Sequence, residues 1–105
     1  MKDYLKLINK DFSVVISGES MYPTLYPGEK IMCRIFSDKI NLKCGNIILF
    51  YNETEKRYVI HRIVKVNMLK NGEYYYVTKG DKNLIVDEYL VKYKDVRGVI
   101  WSIVI

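Results

Sequence analysis

The sequence has few of the residues on which metal and redox proteins depend, because two of its 105 residues are cysteine and one is histidine. Cys33 and Cys44 lie eleven positions apart, so the chain has no C-x-x-C pair, and no histidine is close enough in sequence to complete a zinc site. This usage is typical of ordinary thiols in a reducing compartment. We therefore expect free cysteines, no metal and no cofactor.

The sequence also lacks long apolar runs, basic clusters and targeting segments. No stretch approaches the roughly 20 apolar residues that cross a bilayer, and residues 1–10 alternate charged with apolar side chains, unlike a secretory signal. The net charge is +5, but the lysines are scattered and form no nucleic-acid-binding arm. We expect a soluble, cytoplasmic protein without a nucleic-acid partner, for which any membrane contact is peripheral.

The overall composition is that of one globular domain, because 50% of the residues are hydrophobic and 28% are charged. Apolar residues at helical spacing within residues 2–10, among them Tyr4, Leu5 and Ile8, predict a short amphipathic helix. Its shortness favours packing on the domain over lying on a membrane. We divide the chain into an N-terminal helix over residues 1–11 and a single β-rich domain over residues 12–105.

Short β-rich runs separated by turn residues follow from Phe12 onward. They predict the strands FSVVI, KIMCRIF, NIILFY, RYVIHRIVKV, EYYYVT and VRGVIWSIVI. Pro27-Gly28 predicts a tight turn with a positive φ, and Asn71-Gly72 predicts a type I′ hairpin that pairs its flanking strands antiparallel. The predicted fold class is all-β and mainly antiparallel, with the short N-terminal helix.

One serine lies in a segment rich in turn-forming residues. Ser20 follows the β-branched strand and has Gly18 and Pro23 around it, so a turn would present its side chain at the strand end. Serine is common in such turns, so this alone indicates no chemistry. A serine hydroxyl becomes an effective nucleophile when a base takes its proton, and His61, the only histidine, is the candidate base near neutral pH.

Two carboxylates near the next strand are candidates to orient an imidazole. Asp81 lies in the turn-like K-G-D segment, and Asp87 follows six residues later beside Glu88. Taken singly, Asp81 is more simply a turn residue, Asp87 part of a solvated pair, and His61 a half-buried strand residue. Triads are recognised by geometry rather than chain order, so these residues alone leave the third member open.

Taken together, these segments resemble the type I signal peptidases. SGESMYPTL with the following PGEKI resembles the nucleophile box, and CGNIILFY resembles the next box, with Asn46 where the family usually has aspartate. VIHRIVKV, YYVTKGDKN with Asp87, and DVRGVI resemble the remaining boxes in order, so the match covers about 17–100. Bacterial members and LexA-type repressors use a lysine base. The histidine here makes the match closer to the archaeal and endoplasmic-reticulum branch.

The resemblance implies a serine endopeptidase of the signal peptidase/LexA-type β fold that removes a leader or signal from a peptide or protein precursor, after small residues. It implies Ser20 as nucleophile, His61 as base and Asp87 as third member. Asp81 is then a supporting residue or the alternative third member. The residues expected around the oxyanion and the substrate are Ser17, Gly18, Met21, Pro23 and Ile60.

The segment before the nucleophile box differs from the family, which has a membrane-spanning helix there. This difference motivates one further possibility within the peptidase class, a processing enzyme for a cytosolic peptide precursor. Two alternatives use the same fold. A non-catalytic module would bind peptides without turnover, although the chain retains the serine, the histidine and both aspartates. A LexA-type protein would cleave its own chain, although this sequence has neither a DNA-binding half nor a lysine at the base position.

Overall fold

A computed structural model describes residues 9–36 and 42–104, which form one antiparallel sheet. The strands are β1 (Asn9–Val15), β2 (Lys30–Phe36), β3 (Ile47–Asn52), β4 (Arg57–Met68), β5 (Tyr74–Lys79), β6 (Val91–Lys92) and β7 (Val96–Val104). Their spatial order is β1-β2-β7-β3-β4-β5-β6. A 3₁₀ turn, Tyr93–Asp95, lies between β6 and β7. The predicted all-β, mainly antiparallel fold class is confirmed.

The predicted N-terminal helix falls largely on residues 1–8, which lie outside the described residues. Residues 9–11, which the sequence assigned to that helix, belong to β1. They pair with β2, with Lys10 opposite Ile35 and Asp11 opposite Arg34. Strand β1 therefore begins three residues before the predicted boundary at residue 12, because its ladder to β2 holds this backbone extended.

Two consecutive hairpins, β3-β4 and β4-β5, form the part of the sheet that carries the candidate site. Across the first hairpin Ile48 pairs with His61, and across the second Ile63 pairs with Thr78. The antiparallel pairing predicted around Asn71-Gly72 is thus confirmed. Strand β4 lies between β3 and β5, so its backbone is paired on both sides and the position of His61 is fixed.

The turn of the β4-β5 hairpin differs from the predicted type I′. Gly72 N–H donates to the Leu69 carbonyl at 2.9 Å, and Leu69 N–H donates to the Glu73 carbonyl at 2.7 Å, which leaves a three-residue loop. A type I′ turn needs a positive φ at both central residues. In this loop Gly72 alone has one, +86°. The turn type was wrong because Asn71 is not left-handed and instead accepts Glu73 N–H through its side-chain oxygen at 3.0 Å.

Two buried apolar clusters lie on the sheet. The first joins Leu42 to alternate residues of β3 to β6, and its members are Leu42, Ile48, Phe50, Val59, Ile63, Tyr76 and Val91. The second joins the turn after β1 to β2, and its members are Ile16, Met21, Leu25 and Ile31. Ile47 and Ile60 pack on the second cluster, because successive strand residues face opposite sides. Strands β3 and β4 therefore contribute to both clusters.

A long connection, residues 80–90, joins β5 to the two-residue strand β6. Val91 pairs with Tyr76 and Lys92 with Tyr75. The sequence did not predict β6, because two residues are too few to show an alternating pattern.

Neither described segment of the chain contains a helix with the length and apolar character needed to span a membrane.

Candidate active site

A closed loop after β1 positions Ser20. Gly28 N–H donates to the Ile16 carbonyl at 2.9 Å, which brings the two ends of the loop together. The predicted Pro27-Gly28 turn is confirmed, with a φ of +90° at Gly28. Met21, next to Ser20, is 2% exposed. Burial of a side chain of this size stabilises the fold by about 2 kcal/mol, so the backbone beside Ser20 is firmly anchored.

His61 lies on the buried face of β4, together with Val59 and Ile63. Its ring Nε2 is 3.0 Å from the Ser20 Oγ. The Phe50 ring lies edge-on to the imidazole, with 6.4 Å between the ring centres. The imidazole is thus enclosed by the sheet while one nitrogen reaches the half-buried serine.

Asp87 binds the other nitrogen of the imidazole. Its Oδ2 lies 2.6 Å from His61 Nδ1 and accepts a second hydrogen bond from Thr78 Oγ1 at 2.7 Å. Burial raises the pKa of Asp87, but the hydrogen bonds from His61 and Thr78 outweigh burial and hold this pKa below its ordinary value of 3.8. The carboxylate is therefore ionised at neutral pH.

These contacts set the tautomer of the neutral imidazole. An ionised carboxylate only accepts hydrogen bonds, so the ring proton lies on the His61 Nδ1 that faces Asp87. The lone pair on Nε2 then faces the Ser20 hydroxyl. This arrangement can take the hydroxyl proton while the oxygen attacks a carbonyl carbon.

Asp81, the alternative third member, has different partners. Arg62 donates from Nε to Oδ1 at 2.9 Å and from Nη2 to Oδ2 at 2.8 Å, and Thr24 Oγ1 donates to Oδ2 at 2.5 Å. The Arg62 guanidinium, despite partial burial of the carboxyl, lowers the pKa of Asp81, and Asp81 in turn raises the pKa of Arg62. Asp81 therefore ties β4 to the loop that carries Ser20, and its described hydrogen bonds do not include His61.

The segment after β5 packs against the Ser20 loop through its backbone. Lys82 N–H donates to the Ser20 carbonyl at 2.9 Å, and Asp81 N–H contacts the Met21 sulfur at 3.4 Å. A Cβ on Gly80 would lie 2.6 Å from the Ser20 carbonyl oxygen. Only glycine allows the two backbones to approach this closely.

A groove of about 1280 Å³ opens over Ser20 and His61. Its walls are the end of β1 with the following turn, the first half of β4, and residues 82–89. Of the predicted oxyanion and substrate-binding residues, the groove is lined by Ser17, Gly18, Met21 and Ile60, and not by Pro23. Met21 is almost fully buried, so it forms part of the core beneath the groove.

Three residues of this network, Arg62, Thr78 and Thr24, were not predicted from the sequence. Arg62 directly follows His61, and Thr78 lies just before the K-G-D segment. Both are polar residues inside apolar strand patterns, and buried polar groups need partners, so this feature points to them. Thr24 has no such feature, because an exposed threonine in a turn is common.

Both cysteines are free thiols, Cys33 buried and Cys44 exposed. Burial raises the pKa of Cys33 to about 12, so this thiol stays protonated near neutral pH. Residues 9–36 and 42–104 contain no group of three or more His, Cys, Asp or Glu side chains arranged to hold a metal ion. The groove itself is lined by Ser20, His61 and Asp87, together with charged side chains such as Glu19, Arg57 and Lys82.

The fold and these contacts combine into one arrangement around the groove. An antiparallel β domain holds a serine against a buried histidine, and that histidine against a largely buried carboxylate, beside an open groove. This geometry resembles that of Ser-His-Asp triads, which are recognised by geometry rather than by chain order.

Comparison with known proteins gives a particular family. The signal peptidase complex catalytic subunit SEC11C of Homo sapiens is 34% identical to this chain over 79 residues, which are 75% of this chain and 40% of SEC11C. SEC11C of Canis lupus familiaris matches with the same identity and coverage. SEC11 of Eremothecium gossypii, with the same subunit name, is 32% identical over 95 residues, 83% of this chain and 55% of that protein. No protein-family model matches the chain. The chain thus spans about half or less of these relatives, and their similarity confirms the resemblance to the type I signal peptidases of the endoplasmic-reticulum type.

Proposed function

We propose that this chain contains the catalytic domain of a signal-peptidase-like serine endopeptidase, which cleaves a peptide bond in a peptide or protein precursor. One observation carries the proposal: His61 lies 3.0 Å from Ser20 Oγ through Nε2 and 2.6 Å from Asp87 through Nδ1. Similarity to signal peptidase complex catalytic subunits supports the substrate class. The precursor is the partner that this proposal requires.

In the proposed reaction, Ser20 Oγ attacks the carbonyl carbon of the scissile bond while His61 Nε2 accepts the hydroxyl proton. His61 then gives that proton to the leaving amine, and an acyl-enzyme remains. A water molecule, deprotonated by His61, then attacks the acyl carbon. The bond from this carbon to Ser20 Oγ breaks, His61 returns the proton to Oγ, and the second product leaves as a carboxylic acid. Asp87, whose pKa is lowered, stays ionised and stabilises the imidazolium that forms in both steps.

The negative charge that develops on the carbonyl oxygen needs a hydrogen-bond donor beside Ser20. The Ser20 backbone N–H donates to no backbone carbonyl of the described residues and is the first candidate. Ser17, exposed in the same turn, is the second candidate through its hydroxyl. Loss of one such donor typically costs about 3 kcal/mol of transition-state stabilisation.

The end of β1 offers an edge along which an extended substrate can bind. Strand β1 is the first strand in the sheet order, and the groove follows the chain from Val14 to Gly18. A peptide can add to such an edge by main-chain hydrogen bonds, with alternate side chains entering the groove. The family resemblance adds a preference for small, alanine-like residues at the first and third positions before the cut.

Intact mass spectrometry tests the proposal. The wild-type protein and Ser20→Ala are each incubated with a library of Ala-X-Ala peptides and with a serine-reactive phosphonate probe. Ser13→Ala is the matched control, because Ser13 is exposed on β1 and does not line the groove. We expect peptide cleavage and one added probe mass in the wild type and in Ser13→Ala, and neither in Ser20→Ala.

Other outcomes of this experiment identify the alternatives. Cleavage that persists in Ser20→Ala would refute the proposal. Stoichiometric binding of intact peptides by the wild type, without cleavage, would favour the non-catalytic peptide-binding module. A shortened form of the protein itself would favour self-cleavage of the LexA type.

A further inference from the structure

Thr78 is a polar side chain in the apolar core. It lies on β5, and none of its surface is exposed. A hydroxyl buried so completely is destabilising unless it forms a hydrogen bond, and its partner here is Asp87 Oδ2 at 2.7 Å. Thr78 is not among the residues that line the groove, so it is separated from a substrate bound there.

Thr78 and Asp87 are joined at two points. The Thr78 hydroxyl binds the carboxylate, and Asp87 N–H donates to the Thr78 carbonyl at 2.8 Å. The oxygen that accepts the hydroxyl is the same Oδ2 that lies 2.6 Å from His61 Nδ1. Tyr89 also lowers the pKa of Asp87, but less than Thr78 does. Thr78 therefore holds both the backbone and the carboxylate of the residue that orients the imidazole.

We propose that Thr78 is a positioning residue for the peptidase reaction: through Asp87 it sets the direction in which His61 Nε2 points toward Ser20. The inference rests on the proposed function. A second pair of the same kind, Thr24 with Asp81 at 2.5 Å, provides a matched comparison. Asp81 binds Arg62 instead of His61, so removal of the Thr24 hydroxyl does not touch the imidazole.

The test compares Thr78→Val, which removes the hydroxyl at nearly constant volume, with Thr78→Ser, which keeps it. His61 is the only histidine, so its Nδ1–H proton gives a single low-field NMR signal when it is bonded to a carboxylate. We expect Thr78→Val to shift or lose this signal and to lower kcat about tenfold or more at a nearly constant KM, as loss of a hydrogen bond to a charged group implies. Thr78→Ser should restore both, and Thr24→Val should leave the signal unchanged.

An unchanged signal and an unchanged kcat in folded Thr78→Val would overturn the inference. An equal loss in Thr78→Ser would overturn it too, because the methyl group rather than the hydroxyl would then matter. If Thr78→Val does not fold, Thr78→Ser is compared with Thr78→Ala, since these two differ from each other only in the hydroxyl. A wild type without peptidase activity, but with a signal that responds to Thr78→Val, would refute the proposed function and uphold the link from Thr78 to His61.

Discussion

At the scale of single residues, Asp81 and Asp87 lie six positions apart and have different hydrogen-bond partners. Asp87 is bonded to His61 and Thr78, whereas Asp81 is bonded to Arg62 and Thr24. Asparagine keeps the size of either side chain and removes its charge. The two substitutions therefore report what each charge does.

We expect Asp87→Asn to lower kcat by a factor on the order of 10⁴, because an amide favours the wrong imidazole tautomer and does not stabilise the imidazolium. Asp81→Asn should cost about tenfold or less, because the carboxylate it replaces acts on Arg62. Steady-state kinetics of both variants on one cleavable peptide give the comparison. A larger loss for Asp81→Asn would make Asp81 the third member of the triad.

The pairing of Asp81 with Arg62 also predicts how stability depends on pH. The folded pKa of Asp81 is lower than its ordinary value of 3.8, so the pair stabilises the fold above that pH and is lost as pH falls through the lower folded pKa. We expect Asp81→Asn to reduce the free energy of unfolding by about 1 kcal/mol at pH 7 and to lose less than the wild type on acidification.

Urea unfolding at a series of pH values from 7 down to the acid transition measures this difference. Asp87 also has a lowered pKa, so the variant should keep some acid sensitivity. Two curves that stay parallel across the whole range would show that the Asp81–Arg62 pair contributes no pH-dependent stability.

At the scale of elements, the segment after β5 lies in close backbone contact with the Ser20 loop, and we expect this contact to position Ser20. Gly80→Ala would bring a Cβ to 2.6 Å from the Ser20 carbonyl oxygen and 2.7 Å from Asn83 Nδ2, so one backbone must move. We expect kcat to fall at least tenfold, because small displacements of a nucleophile are costly. Thermal unfolding and kinetics are measured together.

Gly72→Ala is the control for this prediction. Gly72 has a φ of +86° in the β4-β5 turn, so alanine there costs about 1 kcal/mol of stability without contact to the site. We expect a lower melting temperature and an unchanged kcat. If Gly80→Ala likewise lost only stability, the close approach would not be what positions Ser20.

At the scale of the whole molecule, the length of the groove predicts how peptidase activity depends on the length of the substrate. The chain from Val14 to Gly18 follows the groove, and an extended peptide advances about 3.3 Å per residue, so about five residues can lie along it. We expect kcat/KM to rise as residues are added before the cut and to level off near that length, since remote binding energy supports the reaction. A peptide series of increasing length measures this, and constant activity from the dipeptide upward would contradict edge pairing.

Much of the fold was predictable because it depends on local patterns. Val59, His61 and Ile63 alternate with Ile60, Arg62 and Val64, so a period of two places His61 on the same face as Val59 and Ile63, which is the buried face of β4. The pair β4-β5 was likewise predictable, although the turn type was not, since Asn71 uses its side chain instead of a left-handed backbone. Strand β6 was too short to produce a pattern.

The candidate site, like the fold, was predictable from the sequence only in part. The sequence by itself determined the residue types that can act as nucleophile, base and carboxylate, because these depend on side-chain chemistry and on motifs within single segments. Only the tertiary structure shows that Asp87, and not Asp81, contacts His61, and only it joins Thr78 to Asp87 and Arg62 to Asp81. These contacts link residues on separate strands and loops. Their distances depend on how the strands pair and how the connection 80–90 returns to the sheet, which no local pattern encodes.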